Sequence, residues 1–300
     1  MLSERDILRP LRRRPLPAKS GIALAIGDDC AIYRPRPREE LVFTTDFLIE
    51  DVHFRFATLT PQQVGHNALA RGLSDIAAMG AKPRFCLLSL ALPQRADSRW
   101  VKAFYRGLLK LADSTGTILA GGDLAHSEKL HCDIVVCGAV PTGTALRRSG
   151  AKPGDDIYVS GALGGSALGL ATHTGAAWKR HLRIEPRLAL GEFLRTRMKA
   201  TACMDLSDGL SLDLQRLCQE SGVSAAIGLP PIFPKATPAQ SLHGGEDYEL
   251  LFTVQSNWKV PKEWSGIPLT KIGVIEAGQP GRILLNGSKL HAGGYDHFAV

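Results

Sequence analysis

Three residues with hard oxygen atoms, Thr44, Thr45 and Asp46, directly follow the apolar residues 41–43. Because Leu, Val and Phe favour extended structure, residues 41–45 are predicted to form a buried strand that carries the hydroxyls and the carboxylate at its exposed end. Carboxylate and hydroxyl oxygens are the ligands that hard divalent cations prefer. The stretch therefore predicts one part of a magnesium site.

Five further motifs combine a carboxylate with glycine or a hydroxyl residue: Gly27-Asp28-Asp29, Ser74-Asp75, Gly121-Gly122-Asp123, Asp205-Leu206-Ser207-Asp208-Gly209 and Gly244-Gly245-Glu246-Asp247. Any one of them alone is typical of a turn or a helix cap, since Asp, Ser and Gly are common there. Their recurrence favours a shared site for metal ions and phosphate, because converging carboxylates repel one another unless cations lie between them.

The chemical types of these candidate ligands indicate which metal ion and which kind of reaction to expect. Hard oxygens without a Cys or His ligand pattern indicate Mg²⁺ rather than Zn²⁺, and several Mg²⁺ ions bridging a nucleotide polyphosphate are typical of phosphoryl transfer. The sequence has no nucleophile elbow, and no G-x-G-x-x-G motif follows a strand. The loop 161–166 is able to hold phosphate at a helix N-terminus, but it lacks the lysine of a P-loop.

The hydrophobic pattern predicts the elements that hold these motifs. In the first half we expect helices over residues 3–9, 60–79 and 98–115, strands over 21–26, 117–120 and 134–140, and a strand over 85–92 that is buried on both faces. In the second half we expect strands over 157–160, 201–205 and 248–254, helices after 161–166 and over 186–199 and 208–221, and short strands over 269–296. The pattern indicates an α+β or mixed α/β fold with antiparallel character.

The helix over residues 60–79 begins with the cap pair Thr60-Pro61 and ends at Gly80. Its spacing places Arg71 and Asp75 on one side, where they are able to form an ion pair four residues apart. Since this order of charges is the weaker one on a helix, we favour a ligand role for Asp75.

The length and composition of the chain limit the classes of protein to which it can belong. A chain of 300 residues with 44% hydrophobic residues favours two domains, and we place them at residues 1–141 and 142–300, because residues 141–155 are rich in turn formers. No apolar run is long enough to cross a bilayer, and the first 17 residues have no secretory pattern, so we expect a cytoplasmic protein with no membrane partner. The six cysteines are expected to be buried core residues of a reducing compartment.

The net charge of +7 would favour binding to a polyanion. A basic nucleic-acid-binding protein is therefore the non-enzymatic alternative to a phosphoryl-transfer enzyme. The arginine clusters 12–14 and 34–38 are more typical of a solvated surface, and 6% aromatic residues offer little for base stacking. We therefore expect no nucleic-acid partner.

The motifs together resemble those of thiamine-monophosphate kinases over nearly the whole chain. The stretches that carry the resemblance are Gly27-Asp28-Asp29-Cys30-Ala31, Thr44-Thr45-Asp46, Val52-His53-Phe54, residues 73–81, Gly121-Gly122-Asp123, residues 148–155, residues 205–210, residues 244–250 and Gly294-Tyr295-Asp296-His297-Phe298. The chain departs from the family at Leu124, where a hydroxyl is usual, and over residues 172–183, which are short. Selenophosphate synthetase and the purine ring-closing relatives share the fold, but the former needs a reactive Cys or Sec that residues 1–27 lack.

The resemblance implies ATP-dependent phosphorylation of thiamine monophosphate to thiamine diphosphate. It implies a homodimer whose N-terminal domains contribute strands to a β-barrel, with an α/β C-terminal domain. By position it implies Mg²⁺ ligands at Asp29, Thr44, Thr45, Asp46, Asp75, Asp123, Asp205 and Asp208. ATP contacts would be Tyr105, Gly122, Asp123, Arg148 and Ser207, and thiamine contacts His53, Glu246 and Tyr295. Asp46, Asp208 and Arg148 are expected to carry the transfer.

Overall fold

The chain divides into two units in the computed structural model, which describes residues 4–295. The first unit consists of Met1–Ile76 and Ala81–Gly143, and the second of Ala77–Gly80 and Thr144–Val300. Both combine helices with sheets, so the mixed α/β class expected from the sequence is confirmed. Residue 3 of the expected N-terminal helix and Asp296-His297-Phe298 of the C-terminal motif lie outside the described residues.

The elements of the first half are α1 (Glu4–Arg12), β1 (Ile22–Leu24), β2 (Ile32–Tyr33), β3 (Glu39–Ile49), α2 (Pro61–Ala78), β4 (Lys82–Leu92), α3 (Ser98–Thr115), β5 (Ile118–His126) and β6 (His131–Pro141). Within the described residues the sheet order is β3-β6-β4-β5. The pairs β3–β6 and β6–β4 are antiparallel and β4–β5 is parallel, which confirms the expected antiparallel character. The expected N-terminal helix continues through Pro10 to Arg12.

Helix α2 begins and ends where the sequence predicts. Its first turn is held by a reciprocal cap, in which Gln63 N donates to Thr60 Oγ1 (3.3 Å) and Thr60 N donates to Gln63 Oε1 (2.8 Å). The chain leaves the helix at Gly80, whose φ of 64° is left-handed. A Cβ at Gly72 would lie 2.7 Å from Val136 Cγ2, so the absence of a side chain there lets α2 approach β6 closely.

Strand β3 differs from the prediction in two ways. It extends over Glu39–Ile49, so that Thr44, Thr45 and Asp46 lie in its middle rather than at its end. It is also an edge strand with one open face, on which the side chains of Phe43 and Phe47 are 61% and 55% exposed. The polar triplet interrupts the apolar run, and the sequence pattern alone gave no reason to continue the strand beyond it.

The neighbouring strands also depart from the expectation. On β4 the expected burial of both faces is wrong, because Cys86, Leu88 and Leu90 are buried on one face while Ser89 on the other face is exposed. Strand β5 continues through Gly121-Gly122-Asp123, which were expected to form a loop. A register shift between β4 and β5 next to Ala120 is typical of a β-bulge.

The elements of the second unit are β7 (Asp155–Ser160), α4 (Gly165–Thr172), α5 (Gly175–Leu182), α6 (Leu188–Phe193) with a following π-helical turn (Leu194–Met198), β8 (Ala202–Asp205), α7 (Leu210–Ser221), β9 (Ser224–Ile227), α8 (Pro238–His243), β10 (Leu250–Gln255), β11 (Glu263–Trp264), β12 (Ile267–Glu276), β13 (Ile283–Leu285) and β14 (Ser288–Leu290). Within the described residues the sheet order is β14-β13-β9-β12-β7-β10-β8, with β11 beside β12.

Helices α5 and α8 and strands β9 and β11 were not predicted from the sequence, and the predicted start of α7 lies two residues early. Elements of two to eight residues are too short for a clear hydrophobic period, so the local pattern does not distinguish them from loops. Helix α5 is important for the site described below, because it falls in the shortened segment 172–183 and carries the basic residues Lys179, Arg180 and His181.

The cysteines follow the expectation with one exception. Five are buried and all six thiols are free, but Cys30 is exposed. In the second unit Leu210, Leu214 and Leu217 of α7 pack on the sheet through Ile157 and Met204. None of the helices between residues 4 and 295 is long and apolar enough to cross a bilayer.

Candidate functional site

Four polar residues of β3 and α2, which we call the β3–α2 cluster, meet on the covered face of the first sheet: Thr44, Asp46, Arg71 and Asp75. Thr44 Oγ1 donates to Asp75 Oδ2 (2.5 Å), and Arg71 Nε lies 3.2 Å from both Asp46 carboxylate oxygens. Arg71 and Asp75 are one helical turn apart and therefore point to the same side of α2. Of the predicted ligands, the structure thus brings Thr44, Asp46 and Asp75 together.

The pKa of Asp46 is raised to about 6, chiefly by burial and also by the neighbouring carboxylates of Asp75 and Asp133, although the charge of Arg71 opposes the shift. The carboxylates of Asp75 and Asp133 thus add negative charge near Asp46, which is paired with Arg71. Repulsion between neighbouring carboxylates is the kind that a divalent cation offsets.

Magnesium fits this donor set chemically, since carboxylate and hydroxyl oxygens are hard ligands. Among residues 4–295, however, no three His, Cys, Asp or Glu side chains are gathered closely enough to hold a metal by themselves. Mg²⁺ in proteins usually takes one or two carboxylates and completes its shell with water and substrate phosphate. The β3–α2 cluster agrees with a site of this kind, in which the protein supplies only some of the ligands.

Other predicted ligands lie on the opposite, open face of the same sheet. Thr45 Oγ1 donates to Asp133 Oδ1 (2.6 Å). The strand registers align Asp133 with Ser89, and Ser89 with Asp123, so these side chains share one face across β6, β4 and β5. Thr45 and Asp123 therefore do not join the β3–α2 cluster. The sequence analysis missed Asp133, although a carboxylate beside an apolar strand is a usable signal.

The remaining predicted residues of the first unit are dispersed. Asp29 lies in an exposed turn, where its N donates to Asp28 Oδ1 (2.9 Å). His53 Nδ1 accepts from Ile49 N (3.0 Å). Tyr105 is buried on α3, and burial raises the pKa of its hydroxyl. At Gly122, with φ 151°, a Cβ would lie 1.9 Å from Leu88 O, so no other residue fits.

In the second unit, Ser207 and Asp208 lie in the loop between β8 and α7, which begins directly after Asp205. Asp205 is buried at the end of β8, and Arg216 Nη1 lies 2.5 Å from Asp208 Oδ2. Asp208 is not the cap of α7, since Gly209 is its N-cap residue. The backbone N–H groups of Asp208 and Gly209 donate to Asp213 Oδ2 (both 3.1 Å).

Asp213 is a carboxylate that the sequence analysis missed. It is fully buried and also pairs with Arg216 Nη1 (3.1 Å). Burial and, to a smaller extent, the charge of Asp208 raise its pKa to about 7. The spacing of Asp213 and Arg216, three residues apart on one helix, is the signal that identifies the pair.

The segment Gly244–Glu249 and the C-terminal chain meet this loop. Glu246 N donates to Ser207 O (2.7 Å), and Tyr295 N donates to Asp208 O (3.1 Å). The second unit therefore brings four predicted residues together, Ser207, Asp208, Glu246 and Tyr295. The side chain of Tyr295 is 47% exposed.

A cavity of about 320 Å³ opens beside Glu246. Its lining is mostly charged: Lys179, Arg180, Arg183, Ile184, Glu185, Arg187, Glu246 and Asp247. His181 Nδ1 lies 3.5 Å from Glu246 Oε2 and 2.9 Å from Ser166 Oγ, and burial lowers the pKa of this imidazole. The cavity can take a small molecule that contacts the Glu246 carboxylate.

Arg148 lies in an exposed loop that is fixed by a serine of α7. Ser221 Oγ donates to Arg148 O (2.7 Å) and accepts from Gly150 N (3.1 Å) and Ala151 N (3.2 Å). The loop backbone is held in this way while the guanidinium lies at the surface, where a phosphate can reach it.

Comparison with known proteins gives the class first. Residues 27–145 match the family AIR synthase related protein, N-terminal domain. The fold is also shared with hydrogenase maturation protein HypE in complex with ATP, at a TM-score of 0.78 over 97% of this chain and 93% of that one, with 16% identity. The comparison therefore assigns residues 27–145 to the N-terminal domain of AIR-synthase-related proteins.

Closer relatives define the family. The chain is 35% identical to the thiamine-monophosphate kinase of Bacillus subtilis, over 99% of this chain and all of that protein, and 37% identical to that of Escherichia coli K12, over 93% of each. The structure of thiamine-monophosphate kinase from Stenotrophomonas maltophilia matches with a TM-score of 0.84 and 35% identity over 96% of this chain and 98% of that one. AaThiL complexed with AMPPCP and TMP matches with a TM-score of 0.77 and 31% identity over 88% and 89%. The chain belongs to the thiamine-monophosphate kinase family.

Proposed function

We propose that the protein is a thiamine-phosphate kinase that transfers the γ-phosphoryl group of ATP to thiamine monophosphate. The observation that carries the proposal is the similarity to named thiamine-monophosphate kinases over 93–99% of the chain. The complex of the similar AaThiL with AMPPCP and TMP supports the two substrates. The hard-oxygen donor set of the β3–α2 cluster supports the reaction class.

The transfer is direct and in line. The acceptor is a phosphate monoester, whose second pKa of about 6 leaves it largely dianionic at neutral pH. It therefore needs no general base and no covalent enzyme intermediate. What the enzyme must do is bring two anionic phosphates together and offset their charge.

The proposed roles follow the positions predicted from the sequence. Asp29, Thr44, Thr45, Asp46, Asp75, Asp123, Asp205 and Asp208 would hold several Mg²⁺ ions, which supply positive charge to the phosphates. Arg148 binds phosphate through its guanidinium, with Tyr105, Gly122 and Ser207 as further ATP contacts. His53, Glu246 and Tyr295 bind the thiamine moiety. We assign the dimer contacts and most of the ATP and Mg²⁺ contacts to a domain of residues 1–141. The remaining contacts, from Arg148, Asp205, Ser207 and Asp208, belong to the second domain, residues 142–300.

The test is to incubate the purified protein with ATP and thiamine monophosphate, with and without Mg²⁺, and to measure thiamine diphosphate by mass. We expect the product only with Mg²⁺. Binding of ATP without formation of the diphosphate would contradict the proposed acceptor. Steeply salt-dependent binding of DNA or RNA without Mg²⁺ would instead favour the nucleic-acid alternative.

The aromatic ring of Tyr295 gives a selective prediction. Its half-exposed ring beside the Asp208 loop is suited to stack on the pyrimidine or to face the cationic thiazolium. We expect Tyr295→Ala to raise the KM for thiamine monophosphate about tenfold, with the KM for ATP unchanged. Tyr295→Phe keeps the ring and should behave like the parent protein. A selective loss of ATP affinity would contradict this role.

We propose further that the protein is a homodimer whose N-terminal sheets share a β-barrel. Two proposed ligands support this: Asp46 on β3 and Asp123 on β5 belong to opposite edges of the sheet. Three strand spacings separate them, about 14 Å along the sheet, and their side chains lie on opposite faces. The exposed Phe43 and Phe47 on the edge strand are an apolar surface that a second copy would cover.

A mixing experiment tests whether one site uses both copies. Asp46→Asn and Asp123→Asn should each be inactive alone. In a co-expressed mixture half of the dimers carry one copy of each variant, and each such dimer has one intact site if the two aspartates come from different copies. We then expect about a quarter of the parent activity. No recovery in heterodimers purified through two different tags would show that both aspartates act within one copy.

A further inference from the structure

The segment that carries Glu246 has a strained backbone. Glu246 and Tyr248 have φ angles of 63° and 49°, in the left-handed region that residues with a side chain rarely adopt. Such conformations persist only where the surroundings hold them. Backbone bonds hold the two ends, from Glu246 N to Ser207 O (2.7 Å) and from Tyr248 N to Leu206 O (2.9 Å).

Two carboxylates of this segment, Asp247 and Glu249, are buried. Glu249 is fully buried and accepts a two-point contact from Arg187, with Nε to Oε2 at 2.9 Å and Nη2 to Oε1 at 2.5 Å. Arg180 Nη2 donates to Glu249 Oε1 (2.8 Å) and to Asp247 O (3.0 Å). Ser160 Oγ donates to Glu249 Oε2 (2.5 Å).

The second inward carboxylate, Asp247, connects the segment to α4. Its Oδ2 accepts from Gly164 N (2.6 Å) and its Oδ1 from Ser166 N (3.2 Å), at the start of that helix. Arg180 Nε lies 3.6 Å from Asp247 Oδ1. Two guanidinium groups therefore balance two buried carboxylates, and both carboxylates come from the segment that bears Glu246.

We propose that Arg180 and Arg187 are positioning residues for the thiamine substrate, which act through Glu246. By fixing Asp247 and Glu249 inward on either side of Tyr248, they hold Glu246 in its left-handed conformation with its carboxylate at the 320 Å³ cavity. His181, the neighbour of Arg180 on α5, contacts the same carboxylate. This inference rests on the proposed substrate role of Glu246.

A merely structural role for the two arginines predicts a different result. It would lower thermal stability and affect both substrates alike. A positioning role acts on one substrate, because only the thiamine moiety contacts Glu246. The KM values of the two substrates therefore separate the two explanations.

The variants Arg187→Lys and Arg180→Lys test the proposal. Lysine keeps the buried positive charge but cannot make the two-point contact, so the fold should be retained. We expect the KM for thiamine monophosphate to rise on the order of tenfold, with kcat and the KM for ATP within about twofold. Arg197→Lys is the matched control, since Arg197 is an exposed arginine of the same unit and lies outside the lining of this cavity. Equal changes in both KM values would overturn the proposal.

A double-mutant cycle with Glu246→Gln separates this inference from the proposed function. If the arginines act through Glu246, Arg187→Lys adds no further increase in KM once Glu246 is glutamine. Additive effects would overturn the positioning role. An unchanged KM in Glu246→Gln alone would instead contradict the proposed substrate contact. If Arg187→Lys does not fold, the same double-mutant cycle with Arg180→Lys tests the positioning role.

Discussion

Replacement of Asp46 by asparagine is expected to reduce turnover by about 10³-fold or more while the fold is retained. A neutral amide ligates Mg²⁺ poorly but preserves the shape of the side chain. The structure adds a reason for retained folding. Asp46 contributes one of three mutually repelling carboxylates, so its neutralisation relieves repulsion as it weakens the pair with Arg71.

The measurement is kcat at saturating ATP and thiamine monophosphate, together with thermal unfolding. Asp51→Asn is the matched control, because Asp51 is an exposed carboxylate of the same unit paired with Lys129 (2.9 Å). Its φ of 65° is one that asparagine tolerates. We expect the control to keep its activity. Near-full activity in Asp46→Asn would show that the Asp46 carboxylate is not needed for the reaction.

Replacement of Glu249 by alanine is expected to give the largest loss of stability, about 3–5 kcal/mol. The substitution leaves the side chains of Arg180 and Arg187 in a partly buried site without the carboxylate that both contact. Urea unfolding measures the loss. Glu185→Ala, at a cavity-lining carboxylate that is 69% exposed, should change stability by less than about 1 kcal/mol. A similar small effect for Glu249→Ala would show that the buried network is not needed for folding.

The same carboxylate gives a pH dependence. Burial raises the pKa of Glu249, but the hydrogen bonds and charge of Arg187, followed by the charge of Arg180, outweigh it and lower the pKa below its ordinary value. A carboxylate with a lowered folded pKa stabilises the fold above its unfolded pKa of about 4.3. That stability is lost as the pH falls through the lowered value. Glu249→Gln should therefore flatten the acid side of the stability profile.

The sequence alone determined which chemically active residue types are present and the order of their motifs along the chain. The hydroxyl and carboxylate types at Thr44, Asp46 and Asp75 indicate a hard cation whatever their surroundings, because ligand preference is a property of the atoms. Local signals also fixed the ends of α2 and α3, since caps such as Thr60 and Gly116 act within one helical turn. The set of motifs was sufficient for the family resemblance.

Tertiary structure decided which of these residues meet. Asp46 faces α2 and Thr45 faces the open side of the sheet because side chains alternate along a strand, and the register that places Asp123 beside Ser89 comes from pairing between distant segments. Asp133 gained its contact with Thr45 in the same way, whereas the partners of Asp213 lie within five residues of it in the sequence. The pairing of Glu249 with Arg180 and Arg187 joins residues more than 60 positions apart, and no local pattern encodes such a contact. Chemistry is thus read from residue types, whereas the site geometry depends on strand register and long-range packing.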